Sequence, residues 1–503
     1  MRGPGEARLV ASGALLQQLA QASGLLALLV IVTLLARRLD SVAELGAYGL
    51  VASLAGYLLV LRNSVASAAV RAMAAAPDRQ TRAELFAAAA ALYAVVGLAT
   101  GALIALVAAV IGATVLDGSL ANDARLGGLG LGALTAVGIL ASVNLDGLRA
   151  ERMFPTAAGA EIASVAVYLV LMVALILADA RLALIIALSG ALPLLSGLIC
   201  ALLVRRAGLP FRLARPGAFA RHRGAIVPTA GWLLVIELSN LAMYASGRIV
   251  LGAYRTPTAV GLYEGPVRAH NLLYALGGAL AVPTVPTASR YVAAGDERRL
   301  RELAVRGSRY TLALFVPLCV TLMVLAEPII GVWLGERYAE GAAALTILVS
   351  YWLLYGALIV TPGFLAGAGQ ARAAGQTLAC AAVLNLVLAL VLTPELGVEG
   401  PAVATAGALV AAFPILLRIG LRASGVRIGE LLARAVGPAY GLGALLALAL
   451  LALRLGADPD TLPAVAVIAI GGVAAYWAAF YALVLEPGER ALARGLVRRE
   501  PVE

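Results

Sequence analysis

An all-α polytopic membrane protein of about fourteen transmembrane helices is the fold class this sequence predicts, and three observations predict it. Apolar runs of about 20 residues, the length that crosses a bilayer, recur from Val10 to the last part of the chain. Only 13% of the 503 residues are charged and 62% are hydrophobic, about half the charge of a soluble protein. Sequence anchors also recur at a nearly constant offset, which divides the chain into two similar halves.

With Gly, Pro and charge clusters as breaks, the spans fall near 11–36, 48–70, 85–113, 126–146, 158–178, 182–204, 226–252 and 262–288, then near 310–334, 340–367, 373–394, 399–421, 431–453 and 462–485. The first run, Val10 to Ala36, is too long for a secretory leader and reads as an uncleaved span. Short turns separate the fifth from the sixth and the eleventh from the twelfth. Basic residues orient the set. With the N-terminus in the cytoplasm, 28 Arg fall inside and 7 outside, and Arg62, Arg248 and Arg268 stay within spans. The largest inside clusters are "RRAGLPFRLARPGAFARHR" (205–223) and "RYVAAGDERRLRELAVRGSR" (290–309). Their expected work is to set topology and meet anionic lipid headgroups, with no role for nucleic acid. Both termini are expected in the cytoplasm.

The halves show in paired anchors. Arg37 and Arg255 stand 218 residues apart, "GAY" at Gly46 and "GLY" at Gly261 215, and Arg71 and Arg290 219. Arg152 and Arg372 follow at 220, Arg206 and Arg422 at 216. The expected organisation is an N-lobe over 11–206, a basic cytoplasmic linker over 207–225, a C-lobe over 226–422, an accessory helix pair over 423–486 and a cytoplasmic tail over 487–503. Six spans per half give two parallel six-helix lobes related by an axis along the membrane normal, an architecture used by transporters.

Several enzyme classes are excluded. All 38 basic residues are Arg, so no Walker A lysine exists to reach nucleotide phosphates. Two His, three Cys and no HExxH or CxxC leave no metal spacing. Cys200, Cys319 and Cys380 sit in apolar runs, where Cys acts as a small hydrophobe. No loop is long enough to hold a catalytic domain, so the chain is not expected to be an enzyme.

Three stretches carry a family resemblance: "ARRLDSVAELGAYGLVASLAGYLLVLRNSVASAAVR", "LALFVPLCVTLMVLAEPIIGVWLGERYAEGAAALTIL" and "FLAGAGQARAAGQTLACAAVLNLVLALVLTPELGVEGPAVATA". They resemble the polysaccharide flippase branch of the multidrug/oligosaccharidyl-lipid/polysaccharide exporter superfamily. The resemblance covers most of residues 11–422. It implies two six-helix lobes around a cavity in a bacterial cytoplasmic (inner) membrane. It implies movement of undecaprenyl-pyrophosphate-linked oligosaccharide from the cytoplasmic to the outer leaflet, with no cofactor and a proton or sodium gradient as the candidate drive. Its implied partners are the lipid-linked glycan, membrane lipids and polysaccharide polymerase or assembly proteins. Two departures stand out: Arg62, where an acidic or neutral residue is common, and Pro401, which interrupts the small-residue run of the twelfth span. The alternative is a multidrug or metabolite/cation antiporter of the same fold. That reading predicts a net acidic cavity, and the first span offers only Gln17, Gln18, Gln21 and Ser23.

Ionisable residues inside spans mark function by default, because insertion costs about 2.5–3.5 kcal/mol each. Glu237, Asn240, Tyr244 and Arg248 share one helical face, and Glu264, Arg268, Asn271 and Tyr274 share another. The expected substrate-binding residues are Arg268, Arg62, Arg248, Asn240, Tyr244 and Asn271, with the three Arg descending through the membrane toward a pyrophosphate. Glu237, near mid-membrane, is the candidate for ion coupling. Structural alternatives accompany these roles. Glu264 and Arg268 have the spacing of an intrahelical ion pair, Arg248 is long enough to snorkel to the headgroups, and Asn144 and Asn385 suit helix bridging. His270 is offset from Arg268 and suits hydrogen-bonded packing. Asp146 and Glu161 are expected to be solvated at cytoplasmic helix ends.

Overall fold

Helices dominate the computed structural model, which describes residues 4–490 except 212–216, 245, 282–283, 362–363, 366–370 and 458. Among the described residues ten helices are long and apolar enough to cross a membrane. The number is eleven if Leu182–Leu188 and Ala191–Arg206, bent by 43° where they meet, make one span. One of the ten stretches, Arg372–Ser424, holds two helices, Ala371–Leu396 and Gly400–Ser424, with the 3-10 turn Gly397–Glu399 between them. Pro401 causes no break there. It sits in the first turn of its helix, where a missing N–H costs nothing.

The chain divides into two compact units, residues 1–264 with 393–398, and residues 265–392 with 399–503. The first unit holds α1 (Pro4–Arg38), α2 (Val42–Ala74), α3 (Arg79–Thr114), α4 (Gly118–Ala141), α5 (Val143–Ala150), α6 (Phe154–Leu177), α7 (Leu182–Leu188), α8 (Ala191–Arg206), α9 (Ala218–Tyr244), α10 (Ser246–Tyr254) and the start of α11 (Pro257–Ala281). Local chemistry sets the starts. Ser41 Oγ accepts from the Glu44 N–H and caps α2. Asp78 Oδ1 accepts from the Thr81 N–H at 2.7 Å and caps α3. That bond holds the exposed Asp78 carboxyl below its ordinary range.

Packing within the first unit runs α3 on α4, α1 on α6, α2 on α3 and α9, and α8 on α4, α5 and α6. One of its core clusters is built from Ala66, Ala68, Ala69, Ala87–Ala90, Phe86, Tyr93, Ile139 and Val143. Alanine on so many inward positions lets backbones approach closely, as helices in lipid require. The limit is reached between α3 and α4. Gly101 and Gly132 face each other so closely that a Cβ on either would collide with the other's carbonyl oxygen.

In the second unit Glu297–Val324 packs on Ala342–Tyr355 and on Gly437–Ala457, and Ala342–Tyr355 packs on Gly400–Ser424. Gly437–Ala457 and Leu462–Leu483 pair with each other and are tied to the rest of the unit by polar contacts. Trp477 Nε1 donates to the Ala313 carbonyl at 2.9 Å, and Arg454 reaches the Val324 carbonyl at 2.8 Å and Glu327 at 2.6 Å. Buried Arg309 pairs with Glu489 just beyond the last helix.

The surface is inverted relative to a soluble protein. Leu98, Val170 and Val467 are 70%, 68% and 72% exposed, whereas Asp146 and Glu264 are 0% exposed. An exterior of that kind is stable only against lipid.

Placing a side chain between α3 and α4 should force them apart. Gly132→Val is expected to lose about 1–3 kcal/mol and lower the unfolding temperature in detergent. Gly56→Ala, at an open exposed position, should leave that temperature within about a degree of wild type or raise it slightly.

Candidate functional site

The first unit's polar interior is assembled where α4 gives way to α5. Ser142 closes α4, and the helical path resumes at Val143 as far as Ala150. The fourth span therefore runs past the predicted end at 146, as part of a continuous stretch from Gly118 to Ala150. This overturns the expectation that Asp146 is solvated: the residue is 0% exposed. Its carboxylate accepts from three donors on three helices. They are the Tyr93 hydroxyl of α3 at 2.5 Å, Arg62 Nη2 of α2 at 2.7 Å and Arg149 Nη1 of α5 at 3.3 Å. A carboxylate removed from water requires this degree of compensation.

The network continues outward. Arg62 Nε donates to Ser142 Oγ at 3.0 Å. Arg149 Nη2 donates to both oxygens of Glu161, each at 3.0 Å, and to Gln17 Oε1 of α1 at 3.3 Å. Glu161 is thus paired, with 22% of its side chain exposed, and not the solvated helix-end acid expected.

Arg62 and Glu161 of this network also line a cavity of about 230 Å³, wholly within the first unit. Arg62, Asn63, Gln21, Glu161, Ser142 and Ser196 supply its polar wall, and Leu59, Val165 and Leu192 part of its apolar wall. Arg62 and Glu161 therefore face one space and are linked to each other through Asp146 and Arg149. The arrangement presents fork-shaped donors to an anion, together with hydroxyl and amide groups suited to a polar ligand.

The other predicted site residues lie elsewhere. Arg248, on α10, is buried with 5% exposure and does not snorkel. Its Nε meets Glu264 Oε1 at 2.6 Å, and its Nη1 donates to the Tyr57 hydroxyl at 3.2 Å. Glu264 thus receives a guanidinium from the preceding helix, a partner its own helical spacing does not suggest. Gly49 of α2 makes room for this carboxylate, because a side chain there would overlap it. Glu237 is half-buried on α9. The side chains of Asn240 and Tyr244 lie outside the described residues.

In the second unit Arg268 and Asn271 are half-buried along α11. His270 is 3% exposed; its Nε2 lies 2.5 Å from the Tyr351 hydroxyl and its Nδ1 3.4 Å from Asn271 Oδ1. This is the hydrogen-bonded packing its angular offset suggests. Asn385 bridges helices through the Thr405 hydroxyl at 3.3 Å, whereas Asn144 bonds locally to the Ala141 carbonyl. Among the described residues no group of three or more His, Cys, Asp or Glu is placed to hold a metal.

Sequence reasoning missed Asp146, Arg149, Glu161 and Tyr93. The signal available was the polar spacing of Ser142, Asp146 and Arg149 in "SVNLDGLRAE", which repeats every three or four residues.

A family model described as polysaccharide biosynthesis protein matches residues 34–343, more than half of the chain. The chain belongs to that family. A second model, described as Lipid II flippase MurJ, matches residues 269–459. A Haloferax volcanii relative, described as "Probable low-salt glycan biosynthesis flippase Agl15", is 24% identical over 157 residues, 31% of this chain and 33% of the relative. The match thus spans about a third of that protein's length. Among solved structures, Lipid II flippase MurJ in an inward closed conformation aligns with TM-score 0.70 at 15% identity, over 93% of this chain and 99% of that one. An inward-facing multidrug resistance MATE family transporter aligns with TM-score 0.64 at 14% identity, over 79% and 94% of the two chains. These two likenesses define the fold: this member of the family is a multi-pass membrane protein with the MurJ and MATE architecture, and its relatives are transporters rather than enzymes.

The Asp146 junction sets a testable energy. Asp146→Ala, by leaving two guanidinium groups short of a partner, should destabilise the protein by about 3–5 kcal/mol in thermal or denaturant unfolding. An apolar pair, Arg62→Met with Asp146→Leu, should recover much of that loss.

Proposed function

We propose that the chain is a flippase that moves undecaprenyl-pyrophosphate-linked oligosaccharide from the cytoplasmic to the outer leaflet of the inner membrane. The lobes alternate access to the two sides, and both termini face the cytoplasm. The observation that carries the reading is the Arg62-lined cavity inside a member of the polysaccharide biosynthesis protein family. Supporting it are the MurJ-like fold and the names of the matched relatives, which are flippases.

The chemistry follows from the cavity. A pyrophosphate presents several oxygens with concentrated charge, and the planar guanidinium of Arg62 offers paired donors that remain charged at any physiological pH. Arg149, held against Glu161, lies one contact behind it. Asn63, Gln21 and Ser196 provide hydrogen bonds to sugar hydroxyls, and the prenyl tail stays in lipid. Arg268 serves as a further phosphate contact and Asn271 as a polar neighbour. Asn240 and Tyr244 extend the sugar contacts along α9. Arg248, the remaining candidate contact, is locked to Glu264. Glu237 remains a candidate for coupling to a proton or sodium gradient. A polymerase or other assembly partner would receive the translocated glycan.

Deletion of the gene followed by extraction of lipid-linked saccharides tests the reading. Accumulation in the inner leaflet is expected; unchanged saccharides with altered drug sensitivity would replace the reading with the antiporter. Arg62→Ala and Arg268→Ala, at normal protein abundance, should each lower flipping by about tenfold or more, as expected for a lost charge-assisted hydrogen bond. Full activity in either variant would remove that residue from the substrate path.

A further inference from the structure

We propose that the cavity of the first unit receives a single neutral sugar ring, the one esterified to the pyrophosphate, and that Glu161 makes it reject a ring bearing a carboxylate. The inference rests on the flippase reading above and adds the class of sugar the site selects. Size sets the first limit. A space of about 230 Å³ falls short of the roughly 300 Å³ at which pockets for drug-sized ligands begin, so it accommodates one ring and not a chain of them. The lining matches the two textures of a pyranose. Leu59, Leu145, Val165 and Pro193 offer apolar surface to the C–H faces of a ring, and Gln21, Asn63, Arg62 and Glu161 offer polar groups to its rim.

The hydrogen-bonding capacity left in that wall does the selecting. A guanidinium carries five N–H bonds. In Arg62 the Nε–H goes to Ser142, one N–H of Nη1 to Asn63 and one of Nη2 to Asp146, which leaves one on each terminal nitrogen. They form the fork that a pair of phosphate oxygens fits. Glu161 is the reverse case. A carboxylate has about four acceptor positions, and Arg149 uses one on each oxygen. The positions that remain accept and cannot donate, as the hydroxyls or amide N–H of a neutral sugar require. The ion partners sharpen this division. Asp146 and Arg149 are not among the described residues that line the cavity, so a ligand there meets Arg62 and Glu161 themselves. With the pyrophosphate on Arg62, the ring joined to it shares the remaining space with Glu161. A carboxylate on that ring would bring acceptors to a group that only accepts. It would also set two like charges together away from water, which specific sites use to exclude a wrong partner.

The test is calorimetric titration of the purified full chain with two diesters, farnesyl-pyrophosphoryl-N-acetylglucosamine and farnesyl-pyrophosphoryl-glucuronic acid, at about pH 7.5, where the uronic carboxyl is ionised. The neutral-sugar diester should bind at least about tenfold more tightly, as like-charge exclusion requires. Glu161→Gln keeps an acceptor and gains a donor, so it should bring the two affinities within about threefold of each other, whatever their absolute values. Glu161→Asp should keep the preference. Equal binding of the two diesters by wild type, or tighter binding of the uronate, would overturn the selectivity and leave the flippase reading standing. An unchanged preference in Glu161→Gln would overturn the role of that residue. Binding of neither diester to wild type would overturn both the selectivity and the substrate reading. A third diester, with the uronic carboxyl converted to its amide, separates charge from size. It should recover most of the lost affinity on wild type. Binding as weak as the uronate's would refute the proposal even if Glu161→Gln fails to fold.

Discussion

The compensation of one buried carboxylate organises the first unit. Asp146 has no contact with solvent, and an ionised group in that position is tolerated only if donors replace its water. Those donors come from α2, α3 and α5, so three helices meet at one side chain. Everything near it follows. Ser142 orients Arg62 from the other side, Arg149 hands the network on to α6, and the alanine-rich faces of α2 and α3 let the backbones approach closely enough for short donors to reach. Arg248 and Glu264 repeat the solution with two groups and a tyrosine, and Gly49 clears the space. In lipid, helix association gains little from the hydrophobic effect. Polar junctions of this kind therefore fix which helices are neighbours, while small residues fix how near they stand.

The second unit meets the same constraint at its margins. Its terminal helices present bare Leu, Val and Ile outward and gain no core of their own from that face. They are also tied by directional bonds: an indole to a helix carbonyl, Arg454 to Glu327, and Arg309 to Glu489. The inner faces of the pair pack into the unit's core through Leu446, Leu450, Tyr476 and Phe480, and the polar ties add a definite register.

The sequence made the helices legible because their signals are local. Run lengths, caps such as Asp78 and punctuation such as the turn 397–399 all lie within a few residues of what they control. Pro401, which interrupts the small-residue run of the twelfth span, sits in the first turn of that helix, and the helix starts at Gly400, one residue from the expected 399. The site was legible only in part. Arg62 stood out as a misplaced charge, but its partner lies 84 residues away and was assigned to solvent because the fourth span was ended too soon. Glu264 has a partner that helical spacing does not offer. The fold brings it Arg248 from 16 residues earlier, a pairing that depends on how two helices fold back. Periodicity reports which residues share a face; it does not report what the face meets.

The close approach of α3 and α4 has a mechanical meaning. Where Gly101 and Gly132 touch, no side chain lies between the two backbones to swing, compress or change rotamer. Sliding one helix past the other, or turning it about its axis, would drive a carbonyl into the neighbouring chain. The pair therefore acts as a single stiff strut, roughly twice as wide as one helix. Flexing in this unit falls to its discontinuities: the interruption at Ser142, which lies against Arg62, and the 43° bend between α7 and α8.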